Sequence, residues 1–269
     1  SFEPMLQQAG SNMVSTERIK AALARHDPRG TARSLVVRAY NNSVSIGGAR
    51  RGEAIHIDLR TNDAIPSPGR IADFLQTNRQ LHEKLLLDLG WLVIASTVAM
   101  LVLIALGIAM GLPRIRNSLS GWHKATAWFL LPLLILSPLT GLFLAFGWTL
   151  SSSGPSAAQP AAISLQQAVA TVAAQHDLGR VVWIRPRGNV MLTRVNDGGE
   201  MRVFAVHQDG LVATPRNWPR LIHEGNWRGS ASALINVVIS IAFVMLMSTG
   251  LLIWARRTFK RRRTRLAPA

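Results

Sequence analysis

Residues 122–150 read WHKATAWFLLPLLILSPLTGLFLAFGWTL, one histidine and one lysine followed by an apolar run. No side chain from Ala125 to Leu150 is charged, and those 26 residues exceed the roughly 20 that a helix needs to cross about 30 Å of hydrocarbon. The stretch therefore predicts a membrane-spanning helix. Pro132 and Pro138 would break a soluble helix, but are tolerated in a membrane where neighbouring helices and hydroxyls such as Ser137 and Thr140 satisfy the freed carbonyls. Gly90–Leu112 and Ser230–Trp254 are also free of charge and long enough to span, so three membrane helices are expected.

The charge pattern sets an orientation. Lys+Arg outnumber Asp+Glu by 30 to 14, giving a net charge of +16 in a chain whose mean hydropathy is +0.20. Ten of the cations flank the spanning segments with no acid among them: Arg114, Arg116 and Lys124 between the first two, and Arg256, Arg257, Lys260, Arg261, Arg262, Arg263 and Arg265 after the last. Positive charge beside membrane helices marks the cytoplasmic side. The tail lies flush against a spanning helix, which favours this topological role, and no nucleic-acid partner is expected.

Residues 1–82 and 151–228 then lie outside, in the periplasm of a bacterial inner membrane, and the lack of cysteine is compatible with that compartment. Nothing in Ser1–Arg79 is apolar enough to export the first region, and Ser1 is not an initiator methionine. A further N-terminal helix, the fourth of the bundle, is therefore expected.

An internal repeat fills the two outer regions. Residues 15–83 and 164–224 each open with an amphipathic helix, marked by Ile19, Ala22, Leu23 and His26 in one and by Leu165, Ala168, Val169, Val172 and His176 in the other. Ser164 with Gln167 is a capping-box start. Each helix ends in His-Asp and gives way to short strands, Ser34–Ala39, Ser43–Ile46 and Ala54–Leu59 in the first copy and Val181–Arg185, Val190–Val195 and Met201–Val206 in the second. About 60 residues bury little area alone, so each module must lean on its twin or on the membrane part. Each copy closes in Leu/Ile-His-Glu, at Leu81-His82-Glu83 and Ile222-His223-Glu224.

The expected architecture is an α-helical integral membrane bundle with two small α+β domains outside it. Along the chain these are a first outer domain (1–82), a membrane helix (83–112), a cytoplasmic loop (113–124), a membrane helix (125–150), a second outer domain (151–228), a membrane helix (229–255) and a basic cytoplasmic tail (256–269).

No phosphate-cradling loop, dinucleotide fingerprint, His-Glu-x-x-His or nucleophile elbow is present. Acids at membrane depth are limited to Asp88 and the interfacial Glu83, which gives an ion pathway little support. Redox chemistry, if performed, must reside in a cofactor. A bis-histidine metal site needs two imidazoles on different helices at one membrane depth. His82 and His223 meet that condition, since both immediately precede inward-running helices, while His123 stands at the opposite face. Arg79, Arg220 and Arg228 lie near the outer pair as candidate carboxylate partners, or as interface anchors. His26 and His176 are explained by the helix dipole, and His56 and His207 are expected at strand surfaces. Trp91, Trp122, Trp128, Trp148, Trp227 and Trp254 fall at or near helix ends, as an aromatic belt does.

A repeated helix-plus-sheet module, a Leu-His before a spanning helix, a His beside the cytoplasmic end of the next, and Thr-Gly at Thr140-Gly141 and Thr249-Gly250 resemble the PepSY-associated transmembrane proteins. The likeness runs from about Ser15 to Arg257. That family includes inner-membrane siderophore-iron reductases. The resemblance implies one or two haem b groups held in a four-helix core by His82, His223 and His123, with Arg79, Arg220 and Arg228 near the propionates. It also implies the lipid bilayer as surroundings, a ferric siderophore as electron acceptor and a separate cytoplasmic donor. The competing expectation is a non-redox envelope protein whose modules bind peptides or restrain a periplasmic protease or signalling partner.

Overall fold

The computed structural model describes residues 14–48, 54–85, 88–112, 114–151 and 163–266. The two repeats share one sheet. The first contributes helix α1 (Thr16–His26) and strands β1 (Ser34–Arg38), β2 (Ser43–Gly47), β3 (Ala54–Asp58) and β4 (Asp63–Ile65). After the membrane helices described below, the second contributes α6 (Leu165–Gln175), β5 (Val181–Arg187), β6 (Val190–Asp197), β7 (Glu200–Val206) and β8 (Leu211–Ala213). Each set is an antiparallel meander. The two join through β1 and β5, pairing Leu35 with Ile184 and Val36 with Trp183, to give the eight-stranded order β4-β3-β2-β1-β5-β6-β7-β8.

This junction answers the shortage of core in each small module. One contiguous cluster combines Ile19, Leu35, Val44 and Ile57 of the first copy with Leu165, Val169, Val181 and Val195 of the second. Along β1 and β6 the buried residues alternate, as expected for strands with one face on the helices and the other facing away. A cross-module bond from Gln166 Nε2 to the Asp27 carbonyl, 3.2 Å, ties the second helix to the end of the first. The repeated His-Asp also has a structural reason. Buried Asp27 accepts from the Thr31 and Ala32 amides, and Asp177 accepts from the Gly179 amide, so each carboxylate turns the chain out of its helix.

The capping box forms at Ser164 with Gln167. The three expected strands of each copy are present, and the three-residue edge strands β4 and β8 are additional. His56 and His207 differ from the surface placement expected of them. His56 Nδ1 bonds the buried Ser45 hydroxyl across the β2–β3 ladder at 2.7 Å, and His207, just past β7, is half-buried with its Nε2 fully enclosed.

Helix α2 (Arg70–Lys84) leads from the sheet to α3 (Gly90–Ala109), with left-handed backbone at Leu85 and Asp88 between them. α3 is long and apolar enough to cross a membrane, as is the stretch Gly229–Phe259 of the last helix, α8 (Gly229–Leu266). The middle segment differs from the single helix expected over 125–150. It forms α4 (Leu119–Phe129) and α5 (Leu131–Ala145), bent by 65° at Leu130. Pro132 supplies no amide to the turn before it, which lets the helix break there, while Pro138 is carried inside α5. The last helix continues unbroken through the basic tail to Leu266. Trp91, Trp122 and Trp148 are exposed near helix ends, and Trp254 is exposed near the end of the apolar stretch Gly229–Phe259.

A short helix, α7 (Trp218–Glu224), carries the second Leu/Ile-His-Glu. It begins on the Asn217 side chain and stops at left-handed Gly225, where a Cβ would come within 2.9 Å of the Ser232 carbonyl and 2.7 Å of the Asn236 amide. That close approach packs the histidine turn directly onto the start of α8.

Candidate functional site

Helices α2 and α7 bring the two repeated histidines together. The rings of His82 and His223 have centroids 5.9 Å apart, with planes inclined by 27°. Two metal–nitrogen bonds of about 2 Å plus two half-rings of about 1 Å place imidazole centroids about 6 Å apart across one metal ion, a separation that the stacked pair matches.

His223 is oriented through its other nitrogen. Its Nδ1 lies 3.0 Å from the Ser137 carbonyl of α5 and 3.3 Å from the Thr140 hydroxyl. A carbonyl only accepts, so Nδ1 carries the proton and Nε2 keeps its lone pair. Ligating histidines are oriented in this way. The Thr140 hydroxyl hydrogen is committed to the Leu136 or Ser137 carbonyl, which leaves its oxygen to accept. Gly141 provides the room: a Cβ there would lie 2.9 Å from His223 Cε1. Burial lowers the pKa of His223, helped by the neighbouring His82 and opposed by the Ser137 carbonyl, so the imidazole is neutral at pH 7. His82 is exposed on α2.

His123 repeats the arrangement at the other Thr-Gly. Its Nδ1 is 2.8 Å from the Thr249 hydroxyl of α8, whose own hydrogen goes to the Met245 carbonyl at 2.7 Å. Nδ1 must then donate, and Nε2 is again the free nitrogen. Gly250 lies against the ring, its would-be Cβ 3.5 Å from His123 Cε1. Asn236, which donates to the His223 carbonyl, and Thr249 are 13 residues apart on α8, about 20 Å along the axis. His123 is therefore far from the His82–His223 pair.

The acid of each Leu/Ile-His-Glu pairs with arginine. Glu83 accepts from Arg79 at 2.8 Å on the exposed side of α2. Glu224 is held more tightly, with Arg194 at 2.7 Å, the Asn226 amide at 2.7 Å and Arg220 at 3.5 Å. Burial pushes its carboxyl up, but Arg194, Arg220 and Arg79 outweigh that and hold it below the ordinary value. Arg185 stacks on Trp183 at 4.3 Å, and its pKa is lowered by burial and then by Arg79, Arg220, Arg194 and Arg187. Of the arginines expected near the pair, Arg79 and Arg220 belong to this cluster, while Arg228 is exposed before α8 and donates its backbone amide to Ser232.

Sequence reading missed Arg185, Arg194 and the half-buried pairing of Glu224. The repeated Glu was the available signal, because an acid this close to a membrane helix needs a cation beside it. Among the described residues no three or more His, Cys, Asp or Glu side chains gather around one point.

The family model of the PepSY-associated TM region matches residues 3–257. No curated protein and no solved structure matches the chain.

Proposed function

The chain belongs to the PepSY-associated transmembrane family, and from that premise we propose that it is a haem-b protein of the bacterial inner membrane. In this reading it carries electrons toward the side bearing the sheet, the periplasm, and delivers them to an acceptor of the ferric-siderophore class. The observation that carries the reading is the His82–His223 pair at 5.9 Å, with the Nε2 of His223 presented by a fixed Nδ1 donor.

His82 and His223 would hold the haem, which would supply one-electron Fe(III)/Fe(II) chemistry. The protein does the rest. Ser137 and Thr140 keep the His223 proton on Nδ1 and the ring in place, and burial keeps it uncharged and ready to ligate. Arg79, Arg185 and Arg220, gathered beside the pair, complement the carboxylates of a haem. His123, seated on Thr249 and Gly250, is the ligand candidate for a second haem nearer the other face. With both sites filled, the chain would carry electrons across the bilayer from a separate cytoplasmic donor.

The test is haem content and low-spin absorbance of His82→Ala, His223→Ala and their double variant, with His176→Ala as control. His176 packs on Phe204 in the soluble part, ring centroids 5.4 Å apart, and should leave the spectrum intact. Equal, non-additive losses in the first three are expected of one shared site. Full haem in either single variant would reject the pairing.

A further inference from the structure

A second site lies at the end of the bundle away from the sheet. The turn between α3 and α4 surrounds a cavity of about 320 Å³ lined by Arg114, Arg116, Ser118, Ser120, Gly121 and Lys124. Its walls are fixed by local contacts. The Ser118 amide bonds the Arg116 carbonyl at 2.8 Å, the Ser118 hydroxyl caps α4 on the Gly121 amide at 3.1 Å, and Trp122 Nε1 donates to Asn117 at 3.2 Å. A Cβ on Gly121 would run into the Arg116 carbonyl, so the loop lies directly on the helix only because that residue is glycine.

The cavity is cationic, and among the described residues no acid balances it. Arg114, Arg116 and Lys124 line it, and among the described residues none of the three has an acid within ion-pair distance. The sequence explains why. It holds no Asp or Glu between Asp88 and Asp177, and none after Glu224, so α3, α4, the loop between them and α8 carry no acidic side chain. Like charges held together in one small cavity repel each other, and the cost falls when an anion enters between them.

The donors present identify its class. Two guanidiniums and one ammonium supply charge, the hydroxyls of Ser118 and Ser120 supply neutral donors, and the first turn of the 11-residue α4 adds the positive end of its dipole. A phosphoryl group presents several acceptor oxygens in different directions and can use all of these at once, as a planar carboxylate cannot. The exposed Trp122 beside the cavity offers an apolar neighbour for the rest of such a molecule.

We propose that the cavity formed by Arg114, Arg116, Ser118, Ser120, Gly121 and Lys124 binds a phosphoryl group, carried either by a phospholipid headgroup or by a soluble phosphoester. The site stands apart from the haem reading: it needs no metal, and its residues include none of the three candidate ligands.

The experiment uses the full chain in neutral detergent with two probes, phosphatidylglycerol followed by native mass spectrometry and inorganic phosphate followed by calorimetry. Saturable binding of at least one probe is expected. Binding of the lipid alone assigns the site to a headgroup, and saturation by phosphate assigns it to a soluble phosphoester. Arg116→Gln with Lys124→Gln should weaken binding about tenfold or more, since each removes a charge-assisted contact. Both side chains are exposed, so the fold is retained. Arg256→Gln with Arg257→Gln removes the same charge at exposed residues that do not line the cavity and should change affinity by no more than about twofold, because cations outside the cavity act only through screened charge. Gly121→Ala keeps every charge but disturbs the loop, and should also weaken binding. Failure of both probes to saturate, or equal losses from the cavity and tail variants, would overturn the proposal.

Discussion

Adding one methyl group at each Thr-Gly should give opposite results. At Gly141 the new Cβ would lie 2.9 Å from His223 Cε1 and 3.4 Å from its Nδ1, against the 3.5–4.0 Å at which carbon atoms normally rest. The ring must retreat by about 0.6 Å, stretching its 3.0 Å bond to the Ser137 carbonyl. It has little freedom to move, since the same turn is held by Asn236 bonding the His223 carbonyl at 2.8 Å. Overpacking of a fixed contact costs about 1–3 kcal/mol. At Gly250 the equivalent Cβ would sit 3.5 Å from His123 Cε1, an ordinary contact, so Gly250→Ala should cost less than about 0.5 kcal/mol. Thermal unfolding of the two variants in detergent, followed by circular dichroism, separates them. If Gly250→Ala destabilises as much as Gly141→Ala, the glycines are not seats for histidine rings.

Val169, 1% exposed in the shared core, should tolerate no charge: Val169→Asp should cost several kcal/mol and, because the core is common to both repeats, expose protease sites in both. Glu224 has a folded pKa below its ordinary 4.5, so its contribution is complete above that value and is lost as the pH falls through the folded pKa. Urea titrations from pH 7 to pH 3 should therefore show stability falling below about pH 4.5, and Glu224→Gln should flatten that slope while costing about 1–3 kcal/mol at pH 7 by removing the charge that faces the half-buried Arg194.

Much of this was legible from periodicity and charge. The 3-and-4 spacing of Leu165, Ala168, Val169 and Val172 gave the buried face of α6 directly, because burial selects apolar side chains at the helical repeat. The repeat also put His82 and His223 at matching positions, and the structure sets their rings side by side. The joining of the modules was not readable, since β1 and β5 meet across nearly 150 residues and pair through backbone atoms that any sequence supplies. The 65° bend was obscured for a related reason: a proline in an apolar run is compatible with a continuous membrane helix as well as a broken one, and packing decides between them. Thr140-Gly141 and Thr249-Gly250 were visible as motifs, but only the contacts with His223 and His123 give them a role. Arg185 and Arg194 carried no signal, because alternating strand residues look alike until the helices beside them are placed.

The most direct measurement is the absorption spectrum of the full chain purified in detergent from haem-replete cells, with haem quantified per polypeptide. The account predicts a red protein with a sharp Soret band, split visible bands on reduction, and at least one haem per chain. A colourless preparation, folded by circular dichroism and free of haem, would contradict it and favour a non-redox envelope role.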